Sequence, residues 1–451
     1  MSFFKAYDMR GTFGIDFCID TVYRVGKVLP SVVGGSRYLV GRDCRTTSSD
    51  IRDALVQGLT DAGAEVCDIG LCTTPMVYFF TAEGDYDGSV MITASHNPAS
   101  DNGLKVSRRS ALPVGYADGL SNVESIVGEM GDVFFRRGES IARTDGVRQD
   151  LVEKYVAWMR KANPLLDEIN RELDFAVDCS GGMASILARR LFPSARILNG
   201  ELDGTFSRHS PNPLKPEARE DAAAIAVGQS LDCAIIFDGD ADRCMFVDEC
   251  GRFVQPDYLI PAVASATASG GKIIHDVRTS RGATEELSRL GFEPVMVPVG
   301  HAFAKPILRK VGAVCGGELA GHYYFSEFHG CDSGVLAAIR ILSSILLAKR
   351  KGISFSSMVS PVVSRYVNSG ELNFKVEDKD AAISRVLAAA KSSLPEVLSS
   401  SYIDGTRLEY AQGWINIRKS NTEPYLRVIA ECKSQEDLQN WLAVIREAIG
   451  V

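Results

Sequence analysis

The chain has 451 residues, which at roughly 150 residues per domain predicts about three domains and excludes a single small binding module. Hydrophobic residues make up 45% and charged residues 24%, the balance of a folded, water-soluble protein, which excludes long disordered, fibrous or collagen-like tracts. With 49 Lys and Arg against 57 Asp and Glu the formal charge is −8, so no nucleic-acid partner is expected.

The opening segment, MSFFKAYDMRG, reaches Asp8 and Arg10 without an extended apolar stretch, so no secretory signal is expected. Three later stretches share one grammar: an apolar strand, a polar turn centred on Asp, a helix-period segment and a second strand. They are YLVGRDCRTTSSDIRDALVQGLTDAGAEVCDIG, DFAVDCSGGMASILARRLFPSARIL with Asp178 at the strand end, and KIIHDVRTSRGATEELSRLGFEPVMVPVG with Asp276 in the corresponding place. Such units predict three similar α/β domains, with largely parallel pairing because the intervening helix permits a crossover. The polar stretch RRGESIARTDGVRQD sets the first boundary, giving domains at 1–150, 151–250 and 251–362, the last closed by the serine-rich ISFSSMVSPVVSRY. Residues 335–348, the most apolar run, contain Arg340 and are shorter than the roughly 20 residues of a membrane span, so they predict a buried helix and no membrane partner. Residues 363–451 change pattern, with a helix, strands around Trp414 and Arg427 and a closing helix, which predicts a smaller α+β domain. Eleven cysteines without a C-x-x-C pair read as reduced thiols in a cytoplasmic protein.

The segment LDCAIIFDGDADRCMFVD ends an apolar run in Asp238, Asp240 and Asp242, with Arg243 following. Like charges about 4 Å apart repel by roughly 4 kcal/mol at an effective dielectric near 20, which a bound cation relieves. Oxygen ligands without His or Cys favour a hard ion, Mg²⁺ rather than Ca²⁺; the plain alternative is a solvated acidic turn. In GSVMITASHNPASDNGLKVS a strand delivers Ser95 and His96 to what reads as an exposed polar loop, with Lys105 beyond it. The Ser95 hydroxyl suits a nucleophile or phosphate carrier, though alone an ordinary Ser-rich turn is the commoner reading. In GWINIRKSNTEPYLRVIAE, Arg418 and Arg427 flank a loop containing Ser420, Asn421 and Thr422, a plausible phosphate clamp or an exposed charged hairpin. Glu318 and His322 in VCGGELAGHYYF suit sugar hydroxyls, or a core-edge histidine among aromatics. Arg10, His301 with Lys305, and Arg278 with Arg281 stay ambiguous between site and salt-bridge roles.

Taken together, YDMRG at 7–11, TASHNP at 93–98, DGDADR at 238–243, GGELAGH at 316–322 and RKSNTEPYLR at 418–427 resemble the α-D-phosphohexomutase superfamily, most closely its bacterial phosphomannomutase branch. The resemblance covers essentially the whole chain. It implies three α/β domains with mixed sheets plus a smaller C-terminal α+β domain around a central cleft. It implies hexose 1-phosphate and hexose 6-phosphate interconversion through a phosphoserine at Ser95, with mannose favoured and a hexose 1,6-bisphosphate as intermediate and activator. Mg²⁺ would be held by Asp238, Asp240, Asp242 and phospho-Ser95. Arg10, Lys105 and Arg243 would stabilise transferring oxygens, and His322 or His96 would move protons. Arg278, His301 and Glu318 would meet the sugar, and Arg418, Ser420, Asn421, Thr422 and Arg427 the distal phosphate. The partner implied is a phosphorylated hexose, and the assembly a monomer or homodimer. Ala320 stands where the family usually has Ser, which removes one hydroxyl contact worth roughly 0.5–1.5 kcal/mol. A phosphoglucomutase or dual-specificity enzyme is the alternative, and a non-catalytic phosphosugar-binding homologue a more distant one.

Overall fold

The computed structural model describes residues 3–136, 138, 143–420 and 425–450. Among them no helix is long and apolar enough to cross a membrane. The repeated grammar has a common local cause. In each of the first three units an apolar strand ends at an aspartate whose carboxylate accepts the backbone N–H two residues on: Asp43 from Arg45 at 3.0 Å, Asp178 from Ser180 at 2.8 Å and Asp276 from Arg278 at 2.6 Å. This side-chain turn competes with continued sheet pairing and hands the chain to a helix. Those helices, Ser48–Asp61, Ser185–Leu191 and Arg281–Arg289, return the chain to strands Glu65–Leu71, Arg196–Leu198 and Phe292–Val297. Each of these pairs parallel with the strand that began its unit.

The sheets are nevertheless mixed. On its other side each opening strand pairs parallel with Gly88–Ile92, Cys233–Phe237 or Cys315–Gly317. Each of those runs antiparallel to its successor, Asp101–Arg108, Cys244–Asp248 or Tyr323–Phe325. The segments with Ser95, with Asp238 to Arg243 and with Glu318 to His322 all connect such a parallel strand to its antiparallel successor. They lie beyond the carboxyl ends of parallel strands, where open α/β sheets place ligand crevices.

The fourth unit is an antiparallel sheet packed by helices Lys379–Ser393 and Gln435–Ile449. Its core, including Val386, Ile415, Val428 and Trp441, is separate from the one that joins the first three units. In that shared core the Phe79 ring lies 5.4 Å from Tyr155 and 6.2 Å from Phe328. The expected apolar helix is Gly334–Lys349, and Arg340 on it is buried and paired with Glu327 at 2.6 Å. The fourth unit meets the third through polar groups: Glu431 accepts from the Arg281 N–H at 2.8 Å and from Trp414 Nε1 at 2.7 Å, while Arg281 pairs with Glu409.

Candidate active site

Ser95 follows the strand Gly88–Ile92 in a turn that gives it φ 52°, a left-handed conformation costly for a residue with a Cβ. Its Oγ donates to Asp238 Oδ2 at 2.9 Å, accepts from Arg243 Nη2 at 3.3 Å and lies 3.3 Å from His96 Nδ1. The loop is not exposed as its polarity suggests: Ser95 is only 3% exposed. Two long-range contacts bury it. Gly239 of the second unit comes so close that a Cβ there would lie 2.6 Å from the Ser95 carbonyl oxygen. Arg45 lies beneath, donating to the carbonyls of Ser95 (2.8 Å), Asn97 (2.7 Å), Pro98 (2.6 Å) and Asp101 (2.9 Å), while its Nε faces Asp43 at 3.2 Å. Arg45 was missed as a site residue. Its only sequence signal was its place two residues after the first turn aspartate.

Asp238, Asp240 and Asp242 each offer a carboxylate oxygen within 4.8 Å of the others, all buried. Thr74 Oγ1 donates to Asp240 Oδ2 at 2.5 Å, and Arg243 Nε to Asp238 Oδ2 at 2.9 Å. Lys105, expected on the transferring phosphate, places Nζ 2.7 Å from Asp240 and 2.6 Å from Asp242. Arg10 donates to Asn97 Oδ1 at 3.1 Å and to Asp8 at 2.5 Å. Burial and the neighbouring carboxylates push the Asp238 carboxyl well up. Burial would raise Asp242 too, but Lys105 and His322 hold it well down. Burial, with Arg243 and Arg10, holds the His96 imidazole well below its ordinary pKa. The Asp240 and Asp242 Oδ1 atoms are buried and accept no hydrogen bond among the described residues. An all-oxygen set with buried acceptors to spare fits a hard divalent cation.

The sugar-loop candidates join this cluster. His322 Nε2 lies 3.6 Å from Asp242 and Nδ1 3.4 Å from Glu318, and a backbone bridge ties His322 to Arg243. Burial would lower the His322 pKa, but Asp242 and Glu318 outweigh it and raise it to about 9. Glu318 Oε1 accepts from the Gly300 N–H at 3.1 Å and Tyr324 Oη at 3.0 Å, and the His301 ring lies 6.2 Å from that of His322. Lys305, ambiguous from sequence, is buried 2.7 Å from Asp332 and over the Tyr78 ring.

Arg278 sits on Asp276 at 2.6 Å, the strand-end pair the sequence offered as one of two readings. Its Nη1 also lies 3.6 Å from Glu371, which pairs with Arg418 at 2.5 Å and Arg427 at 3.4 Å. Ser420 Oγ accepts from Arg427 at 3.4 Å, whereas Asn421 and Thr422 lie outside the described residues. Asp276 Oδ2 accepts the Leu319 N–H at 3.1 Å, so contacts run continuously from the arginine cluster through Glu318 and His322 to Asp242.

Three α/β units and a C-terminal α+β unit, joined at a site of carboxylates, a buried serine and arginines, define a phosphoryl-transfer class of protein. The family models match in order: the phosphoglucomutase/phosphomannomutase alpha/beta/alpha domain I at residues 1–129, domain II at 153–251, domain III at 255–366 and the C-terminal domain at 371–448. The chain belongs to the phosphoglucomutase/phosphomannomutase family and is, with it, a phosphohexomutase enzyme. It is 34% identical to a phosphomannomutase of Escherichia coli, covering 97% of this chain and 96% of that one, and 34% identical to phosphohexose mutases of Xanthomonas campestris, covering 96% of both. A solved phosphoglucomutase/phosphomannomutase family protein from Burkholderia thailandensis superposes with a TM-score of 0.80 at 27% identity, over 99% of this chain and 98% of that one.

Proposed function

We propose that this enzyme interconverts hexose 1-phosphate and hexose 6-phosphate, with mannose favoured, using Ser95 as the phosphoryl carrier and a hexose 1,6-bisphosphate as intermediate and activator. The observation that carries the reading is the 2.9 Å contact between Ser95 Oγ and Asp238, which brings a hydroxyl of the first unit onto the three-carboxylate cluster of the second. Asp238, Asp240 and Asp242, with an oxygen on phosphorylated Ser95, would hold Mg²⁺, which supplies positive charge against transferring phosphoryl oxygens.

In the first half-reaction the bond from phosphorus to Ser95 Oγ breaks as one forms to the free sugar hydroxyl, whose proton passes to a nearby base; in the second, the bond from the other phosphorus of the bisphosphate to its sugar oxygen breaks as one forms to Ser95 Oγ, and that sugar oxygen takes a proton back. Arg243 and Arg10 face this centre and offset the oxygens' charge. Lys105 keeps two of the aspartates compensated. His96 and His322 flank the centre and are the proposed proton carriers. Arg418, Ser420, Asn421, Thr422 and Arg427 hold the phosphate that is not reacting, and Glu318, His301 and Arg278 orient the sugar. Eleven free thiols support a reducing, cytoplasmic setting.

The test is incubation with mannose 1-phosphate, Mg²⁺ and trace glucose 1,6-bisphosphate. Mannose 6-phosphate is expected; no isomer from either mannose or glucose 1-phosphate would overturn the reading. Glucose turnover equal to or faster than mannose turnover would identify the dual-specificity or phosphoglucomutase alternative, which the missing hydroxyl at Ala320 raises.

A further inference from the structure

Glu371 is a carboxylate set among cations assigned to the substrate, two of them, Arg418 and Arg427, to its distal phosphate. It follows Gly370, at φ 66°, just before the edge strand Leu372–Lys375, with a side chain 20% exposed. Oε2 lies 2.5 Å from Arg418 Nη2 and 3.6 Å from Arg278 Nη1, and Oε1 lies 3.4 Å from Arg427 Nη1. One carboxylate thus spans three guanidinium groups, one from the third unit and two from the fourth. Burial would raise the Glu371 pKa, but Arg278 and Arg418 hold it below the ordinary value, so the group stays charged. A phosphate dianion seeks the same guanidinium forks, because carboxylate and phosphate match that geometry alike.

We propose that Glu371 is an internal counter-anion that exchanges with the distal phosphate of the substrate on Arg418 and Arg427, so that it limits the affinity of the clamp and eases departure of the phosphate. The inference rests on the mutase reading, and its consequence follows from that chemistry. A bisphosphate that must present each end in turn to Ser95 has to leave the clamp and re-enter it within one cycle. Vacating the arginines leaves like charges facing one another at a costly distance. A tethered carboxylate that takes the phosphate's place offsets that repulsion. It also links the third and fourth units when no phosphate does. Glu371 is therefore a positioning residue, acting through the arginines rather than on the reacting atoms.

The direct test is titration of the unmodified enzyme and of Glu371→Gln with inorganic phosphate at fixed salt, with Glu377→Gln as a control that makes the same change of charge at an exposed position of the same unit. The dissociation constant is expected to fall about fivefold in Glu371→Gln, the upper range for a partly exposed ion pair, and to stay put in Glu377→Gln. Glu371→Asp, with a shorter reach, should fall between Gln and wild type. An unchanged or weaker affinity in Glu371→Gln, or an equal gain in Glu377→Gln, would overturn the proposal. Should Glu371→Gln fail to fold by circular dichroism, Glu371→Asp decides alone: affinity no tighter than wild type would sink it. In turnover, KM and kcat should fall together in Glu371→Gln, because release is slowed, whereas a structural defect would lower kcat without tightening phosphate. The phosphate titration needs no turnover, so a failed mutase assay and a failed counter-anion are told apart.

Discussion

The guanidinium of Arg45 donates to the backbone carbonyl of Ser95 at 2.8 Å across 50 residues of sequence. Because the same guanidinium also holds the carbonyls of Asn97, Pro98 and Asp101, one side chain that never meets the reacting atoms ties together four carbonyls of the serine turn. A serine held at positive φ needs such an external constraint.

Arg45→Met leaves the buried Asp43 carboxylate without its counter-charge and several carbonyls without their donor. A loss of about 3–5 kcal/mol is expected for breaking a buried pair, read as an earlier denaturant midpoint for the first unit. Arg45→Lys keeps the charge but presents a single point where a fork is required. It should fold, and turnover should fall by about 10²-fold, the usual scale for a misplaced reacting group.

Ser95→Ala and Ser95→Gly both remove the hydroxyl, and neither should turn over. They differ in backbone strain. With φ at 52°, Gly relieves a cost of about 1 kcal/mol that Ala retains. The Gly variant should therefore melt above the Ala variant, and the reverse order in scanning calorimetry would show that the turn is not strained as described.

Mg²⁺ should raise the melting temperature of the wild type by mass action, about 2.7 kcal/mol at 100 times its dissociation constant. Asp240→Asn removes a ligand charge and a partner of Lys105, so the rise should shrink to near zero. Chelation should abolish turnover of the wild type, and added Mg²⁺ should restore it.

Legibility followed distance along the chain. Asp238, Asp240 and Asp242 lie within five residues, so their convergence was readable from spacing, as was the turn aspartate that recurs at Asp43, Asp178 and Asp276. Burial of Ser95 was not readable. It results from Arg45 and Gly239, neither of which is near Ser95 in the chain, and a polar loop carries no mark of what covers it. Glu371 was missed for a related reason: a lone acid after a glycine has no local pattern, and its meaning appears only when Arg278, Arg418 and Arg427 converge on it. Parallel pairing was overestimated because the repeat was read from its first half, the strand, helix and strand, while the site segments lie in the second half, where a parallel strand turns into its antiparallel successor.

His209 Nε2 lies 3.2 Å from Asp178. Burial alone would lower the imidazole pKa, but Asp178 outweighs it and the net shift is upward. A raised pKa in the folded state stabilises fully below the unfolded value, about 6.5, and the contribution is lost as pH climbs through the folded value. The denaturant midpoint of the second unit should therefore decline above about pH 6.5, and His209→Gln should flatten that decline.

Ala320→Ser places a hydroxyl on the half-buried loop proposed to meet the sugar. One hydrogen bond is worth about 0.5–1.5 kcal/mol, so the ratio of kcat/KM for mannose and glucose 1-phosphates should shift by about 2- to 10-fold. An unchanged ratio would place the origin of sugar preference elsewhere.

The separate core of the fourth unit also decides what can be seen in a cuvette. Of the three tryptophans, Trp414 and Trp441 lie in that unit, and the Trp414 indole is stacked under Arg407 and bonded to Glu431 beside the contact with Arg281. Tryptophan fluorescence is thus weighted towards the fourth unit and its joint with the third, while Trp158, between Phe79 and Phe328, reports on the core shared by the other three, and neither signal needs an attached dye.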